Sequence, residues 1–203
     1  MMNNWLKHPL KLIGESVELL PLEEKYFKEL SLVANDARIW EFYPFDMSNS
    51  EQIINSFTSA LIEKEKGNRY PFVIYNKREK KFIGSTQFLD IQPKYKKLEI
   101  GATWLHPDYW ATEINLECKL LLLTFCFETL DAYRVQLKTD EKNIRSQKAI
   151  QKIGASFEGV LRNDMIRDDG TKRSSAYFGV IEAEWEEKKQ KLKQLLELKR
   201  MTK

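Results

Sequence analysis

Short apolar runs bounded by polar turns fill the middle of the chain, and longer amphipathic stretches lie around them. Residues 16–20 read as a strand ending at Pro21, and residues 70–75, 82–89 and 97–105 as three more. The YRVQLKT stretch at 133–139 alternates as a further strand, and residues 157–163 and 174–181 complete the set, joined by the turn-forming Asp168-Asp169-Gly170. The polar turn at 76–81 predicts antiparallel pairing of the strands it connects. Helices are expected at 23–33, at 50–66 with Ser50 as N-cap and Gly67 just past the end, and at 112–130. A further helix at 143–153 has Asn143 as N-cap and Gly154 at its C′ position. From Glu182 on the chain reads as a charged helix, Glu early and Lys late as the helix dipole favours, docked through Trp185, Leu192 and Leu195.

Hairpins in the first half and a β-α-β-α-β run in the second predict an α/β (α+β) fold with a sheet of mixed direction and about seven strands. A length of 203 residues without repeat, low-complexity tract or linker predicts one domain, with a core over about 15–185 and a terminal helix over about 183–200. Hydrophobic residues at 42% and charged residues at 31% exclude a disordered chain. Lys and Arg exceed Asp and Glu by 33 to 30, too weak an excess to favour a nucleic-acid partner, although a local basic patch for a phosphate-bearing ligand is compatible with it. Cys118 and Cys126 lie on one predicted helix, roughly 12 Å apart along its axis, beyond disulfide reach, so both are expected reduced. Two Cys and two His, well separated, predict no metal site. With no secretory h-region at the start and no run of 18 apolar residues, a soluble, cytoplasmic protein without a membrane partner is expected.

Two blocks carry the candidate chemistry. In LEIGATWLHPDYWATEINLE, from Leu98 to Glu117, a strand with an interior glycine runs through a loop straight into a helix. Gly101 signals a bulge or a close backbone approach, and the helix start offers free N–H groups to an anion such as a pyrophosphate. In TDEKNIRSQKAIQKIGASFEG, from Thr139 to Gly159, Asn143 and Ser146 share one side of a first helical turn. In this order and spacing the two blocks resemble the GNAT superfamily of N-acetyltransferases, most closely the RimJ/RimL-type branch. The likeness rests on Glu99-Ile100-Gly101, Trp104-Leu105, Arg134-Val135, Leu137-Lys138-Thr139-Asp140, Asn143, Arg145-Ser146, Lys152, Gly154-Ala155, Glu158-Gly159 and Arg162. Gly170-Thr171-Lys172-Arg173 with Tyr177 adds a family-like stretch in the final hairpin.

The resemblance implies a mostly antiparallel sheet with helices on both faces and a splayed central strand pair, formed here by 98–105 and 133–139. It implies acetyl-CoA as co-substrate, its pantetheine paired with backbone groups around Trp104, Leu105 and His106. The N–H groups of Ala111, Thr112, Glu113, Ile114 and Asn115 would hold the pyrophosphate, and Asn143 and Ser146 would lie near the sulfur. Two positions depart from the superfamily: Ala111 stands where the first loop glycine is usual, and Glu113 brings a carboxylate to an anion site, which is accommodated if its side chain faces solvent. Where many members place a Tyr general acid this chain has Ile150, and the RimJ/RimL branch lacks that Tyr too.

Direct transfer through a ternary complex needs a base for the amine and a donor for the leaving thiolate. Glu99 and Ser146 are the candidates, and His106 is a weaker second base. Trp40, Phe42 and Tyr43, in the aromatic stretch RIWEFYPFDM, are assigned to acceptor binding, where rings can hold a cationic amine or simply close the core. A peptide N-terminus and a small amine both stay open as acceptor, as does a homodimer. The alternative function, raised by Ala111 and Glu113, is a catalytically silent CoA-binding or protein-interaction module on the same fold.

Overall fold

A computed structural model describes residues 5–45, 47 and 49–201. Eight strands form one sheet: β1 (Leu12–Ile13), β2 (Val17–Pro21), β3 (Tyr70–Asn76), β4 (Lys81–Gln92), β5 (Lys97–Leu105), β6 (Arg134–Asp140), β7 (Ser156–Ile166) and β8 (Lys172–Ile181). Their spatial order is β1-β2-β3-β4-β5-β6-β8-β7. Every neighbouring pair is antiparallel except β5 and β6. The helices are α1 (Phe27–Val33), α2 (Ala37–Trp40), α3 (Ser50–Glu65), α4 (Ile114–Thr124), α5 (Ile144–Lys152) and α6 (Trp185–Met201).

The central strands of the sheet are buried on both faces. On β3, Phe72 and Ile74 join a core with Ile100, Leu122 of α4, Phe178 and Trp185, whereas Val73 between them joins a second core with Leu30, Ile53, Phe57 and Trp104. This accounts for the continuous apolar run YPFVIY, which a half-exposed strand would have interrupted with polar residues.

Several local expectations are corrected. The short strand β1 makes eight strands rather than seven. Asn49, not Ser50, caps α3, its Oδ1 accepting from Gln52 N at 3.0 Å. The first helix is preceded by a 3-10 turn at Glu24–Tyr26, and the apolar helix after β5 begins at Ile114 and ends in a π turn, Phe125–Thr129. In α6 the deep contacts are Trp185, Leu192 and Leu196, with Leu195 only partly buried. The short helix α2, capped by Asp36 accepting from Arg38 N at 3.0 Å, has no counterpart among the expected elements. Cys118 and Cys126 are both buried and free. No described helix is long and apolar enough to cross a membrane.

Helix α4 carries two buried charges. Glu117 accepts from the backbone of Glu15 and Ser16 and pairs with Arg200 Nη2 at 3.1 Å, tying the segment before β2 and the end of α6 to one carboxylate. Lys119 is only 5% exposed, and its ammonium donates to Thr103 Oγ1 at 2.6 Å, with Thr86 Oγ1 at 3.5 Å. Burial pushes the Lys119 pKa down to about 8. Because the folded state binds this proton less tightly than the unfolded chain, the penalty is largest below pH 8 and fades as pH rises through the ordinary lysine value. Lys119→Met is therefore expected to stabilise the fold at pH 7 by up to ~3 kcal/mol, with the gain shrinking between about pH 8 and 10. Denaturant titrations across that range measure it; a gain that does not vary with pH would show that the folded protein holds the Lys119 proton as tightly as the unfolded chain does.

Candidate active site

The site grows from the one parallel contact in the sheet. β5 and β6 pair at Lys97↔Arg134, Leu98↔Val135 and Glu99↔Gln136, and pairing stops there although both strands continue. Each strand then leads into a helix, so the N-termini of α4 and α5 stand beyond the open end of this fork, as expected of a crevice at the carboxyl ends of parallel strands. Two residues of β5 separate Ser85↔Trp104 from Gln87↔Gly101, one more than β4 supplies, and Ala102 takes up the excess at φ 44°. The bulge foreseen at Gly101 thus falls on its neighbour. Gly101 has a different duty: a Cβ there would lie 2.7 Å from Glu99 Oε1.

Glu99, the last residue of β5 paired with β6, is 4% exposed. Its carboxylate accepts from Gln136 Nε2 at 2.9 Å and faces Lys138 Nζ at 3.7 Å. Burial raises its pKa above the usual carboxylate range, opposed by the Lys138 charge and the Gln136 hydrogen bond. A carboxylate so shifted is a better proton acceptor near neutrality than an exposed one. Tyr177 of β8 stands on the same face, and burial raises its phenol to about 12; its hydroxyl lies 3.3 Å from both Asp164 carboxylate oxygens.

At the mouth of the fork, Ala111 is left-handed at φ 59°, which explains why glycine is the favoured residue there. Thr112 Oγ1 donates to Tyr109 O at 2.7 Å and accepts from Ile114 N at 3.3 Å, so its hydroxyl caps α4. The following N–H groups, that of Asn115 among them, have no carbonyl ahead of them in the helix. Glu113 is 5% exposed, so its side chain is buried rather than turned to solvent as expected.

The predicted pantetheine contacts are partly committed elsewhere. His106 N donates to Ile83 O and His106 O accepts from Tyr109 N, while its ring nitrogen receives Asp108 N at 3.4 Å, making His106 a turn residue. Leu105 O accepts from the Trp110 indole at 2.9 Å, and the Trp104 side chain is buried in the second core. Asn143 caps α5, its Oδ1 accepting from Ser146 N at 2.9 Å, which brings the two residues together on the first turn. Sequence reasoning counted Arg145 in the family likeness but gave it no site role; its guanidinium lies 3.6 Å above the Trp110 ring. It places a cation between the loop before α4 and the start of α5, and its partner 35 residues away left no local signal.

On the face that carries Glu99, a cavity of about 20 Å³ is walled by Trp40, Tyr43, Phe57 and Trp104 and floored by Gln87 and Ala102. Phe42 does not line it, and Phe57 of α3 takes that place.

The Acetyltransferase (GNAT) domain family matches residues 16–156, well over half of the chain. The chain belongs to the GNAT acetyltransferases. It is 25% identical over 138 residues to the uncharacterized N-acetyltransferase YoaA of Bacillus subtilis (strain 168), covering 67% of this chain and 76% of that one. A candidate acetyltransferase from T. thermophilus shares 30% identity at a TM-score of 0.84, covering 94% of this chain and 99% of that one. Mycobacterium smegmatis RimJ, solved in complex with CoA-disulfide, has the same fold, with a TM-score of 0.79 at 17% identity and coverage of 93% and 95%. This GNAT chain is an acetyltransferase, and enzymes of its family use acetyl-CoA.

The left-handed alanine in its loop gives a direct test. Ala111→Gly is expected to remove about 1 kcal/mol of backbone strain, raising the melting temperature while leaving acetyl-CoA binding intact. A lower melting temperature would mean that the entropy of the added glycine outweighs the strain.

Proposed function

We propose that this GNAT acetyltransferase is RimJ/RimL-like and transfers an acetyl group from acetyl-CoA to an amine by direct attack in a ternary complex. The observation that carries the reading is the fork: β5 and β6 part at Glu99↔Gln136, leaving strand edges of the kind an extended amide chain pairs with, below two helix N-termini. The residues present suit that co-substrate. The first-turn N–H groups of α4, with Asn115 among them, receive the pyrophosphate, and Arg145 supplies a cation at the same mouth. Acetyl-CoA supplies the activated thioester; the chain's residues do the rest. Glu99 takes the proton of the attacking amine directly or through one water, Gln136 and Lys138 holding it ionised. Ser146, fixed by Asn143, donates to the leaving thiolate. The buried Glu113 lends no support to the silent alternative, because its carboxylate is packed into the protein rather than displayed to a ligand.

The test is release of free thiol from acetyl-CoA with a panel of peptides and small amines. Glu99→Gln is expected to lower turnover roughly 10²-fold with acetyl-CoA affinity unchanged. Retained turnover would count against Glu99 as the base. The Lys138 ammonium favours the ionised Glu99 carboxylate, so Lys138→Ala raises the Glu99 pKa further. The acid limb of the kcat/KM profile should accordingly move to higher pH, and a stationary limb would assign it to another group.

A further inference from the structure

Gln87 is 8% exposed, and its Oε1 is buried without a hydrogen-bond partner. It lies on β4 opposite Gly101, in the floor of the aromatic cavity beside the bulge at Ala102. A buried amide oxygen with no partner destabilises the fold, so packing does not explain a glutamine where an apolar residue would serve. The Tyr43 hydroxyl, in the wall of the same cavity, is likewise buried without a partner. Charged side chains are missing from the lining among the described residues. The Trp40 indole is pinned to Ala34 O at 2.8 Å and packs edge-on to Tyr43 at 4.8 Å, so the walls are held by their own contacts. The space amounts to about 20 Å³, room for one water-sized group.

The next pair on this face of the ladder is Leu89↔Glu99, which makes Glu99 the diagonal same-face neighbour of Gln87. Diagonal neighbours have side chains roughly 7–8 Å apart at their bases, within reach of one small group held between them. The missing side chain at Gly101 lets the Glu99 carboxylate lean over the strand residue opposite Gln87, since a Cβ there would meet Glu99 Oε1 at 2.7 Å and Leu89 Cδ1 at 2.8 Å.

We propose that Gln87 seats the acceptor nitrogen, and that the cavity admits an uncharged primary amine on an unbranched carbon. This rests on the amine-acetylation reading above. One N–H of the amine donates to Gln87 Oε1, which leaves the nitrogen lone pair free for the thioester carbonyl carbon. The new C–N bond forms, the C–S bond breaks with its electron pair on sulfur, the nitrogen proton passes to Glu99, and the thiolate is protonated. A branched carbon next to nitrogen meets the ring walls, and an ammonium has no lone pair with which to attack until it has lost a proton.

The probes are 1-aminobutane against 2-aminobutane, and two pentapeptides identical except for an N-terminal Gly or Val, with thiol release from acetyl-CoA as the readout. The wild-type enzyme is expected to favour the unbranched member at least tenfold in kcat/KM in each pair that it uses. Gln87→Met and Gln87→Leu should raise the KM of the preferred amine about tenfold, with acetyl-CoA affinity by calorimetry unchanged. Neither variant should lower the melting temperature, because each removes a buried polar atom without a partner. Equal use of the branched members, or an unchanged KM in a folded Gln87→Met enzyme, overturns the proposal. Wild-type enzyme that binds acetyl-CoA yet releases thiol with none of the amines overturns the underlying amine reading, and is told apart because no variant is needed to see it.

Discussion

Everything in the site depends on two parallel strands that hold together for three residue pairs and then separate. Backbone N–H and C=O groups inside a protein require partners, so a sheet does not open in its middle without something to keep it open. Here the bulge at Ala102 bends β5 away, while β6 stays in register with β8 along its whole length, from Arg134↔Ile181 to Asp140↔Ser175. One strand is anchored and the other is turned. The fork is therefore a property of the backbone, and its lips are peptide groups suited to amides of any extended ligand.

The electrostatics are arranged around that opening in layers. At the fork, Glu99 is shielded from water and steadied by Gln136 and Lys138. At the mouth stand the N-terminus of α4 and the Arg145 guanidinium, resting on Trp110. On the far side of the sheet, Lys119 donates to threonine hydroxyls, one of them on β5 next to the bulge. The buried cation thus spends stability to brace the segment that bends, an arrangement with a precedent in buried polar groups that fix a local conformation.

Much of this is legible in the sequence, and the failures have physical reasons. Strand β5 reads to its observed bounds because its apolar pattern ends where the loop's His-Pro begins. The Asn143 cap is visible because its partner lies three residues on. Asn49 and Ser50 are adjacent residues that cap well, and only backbone geometry decides between them. The polar Ser85-Thr86-Gln87 run sits inside the expected strand at 82–89, and all three are buried because both faces of the sheet are covered there. Arg145 and Gln87 draw their meaning from partners distant in the chain, Trp110 and Gly101, which no local pattern reports.

The bulge has one more consequence. A strand with an inserted residue changes which side its later side chains face, so Glu99 and Trp104 lie toward one layer although an odd number of steps separates them. The wall of the aromatic chamber and the buried Glu99 carboxylate are thereby drawn onto one side of the sheet from a single strand. The other side is left to α4, whose first turn faces the mouth. On the reading proposed above, the two halves of a bimolecular reaction are read by opposite surfaces of one β-layer. Residues of the aromatic chamber can then drift toward a new acceptor without disturbing the first turn of α4.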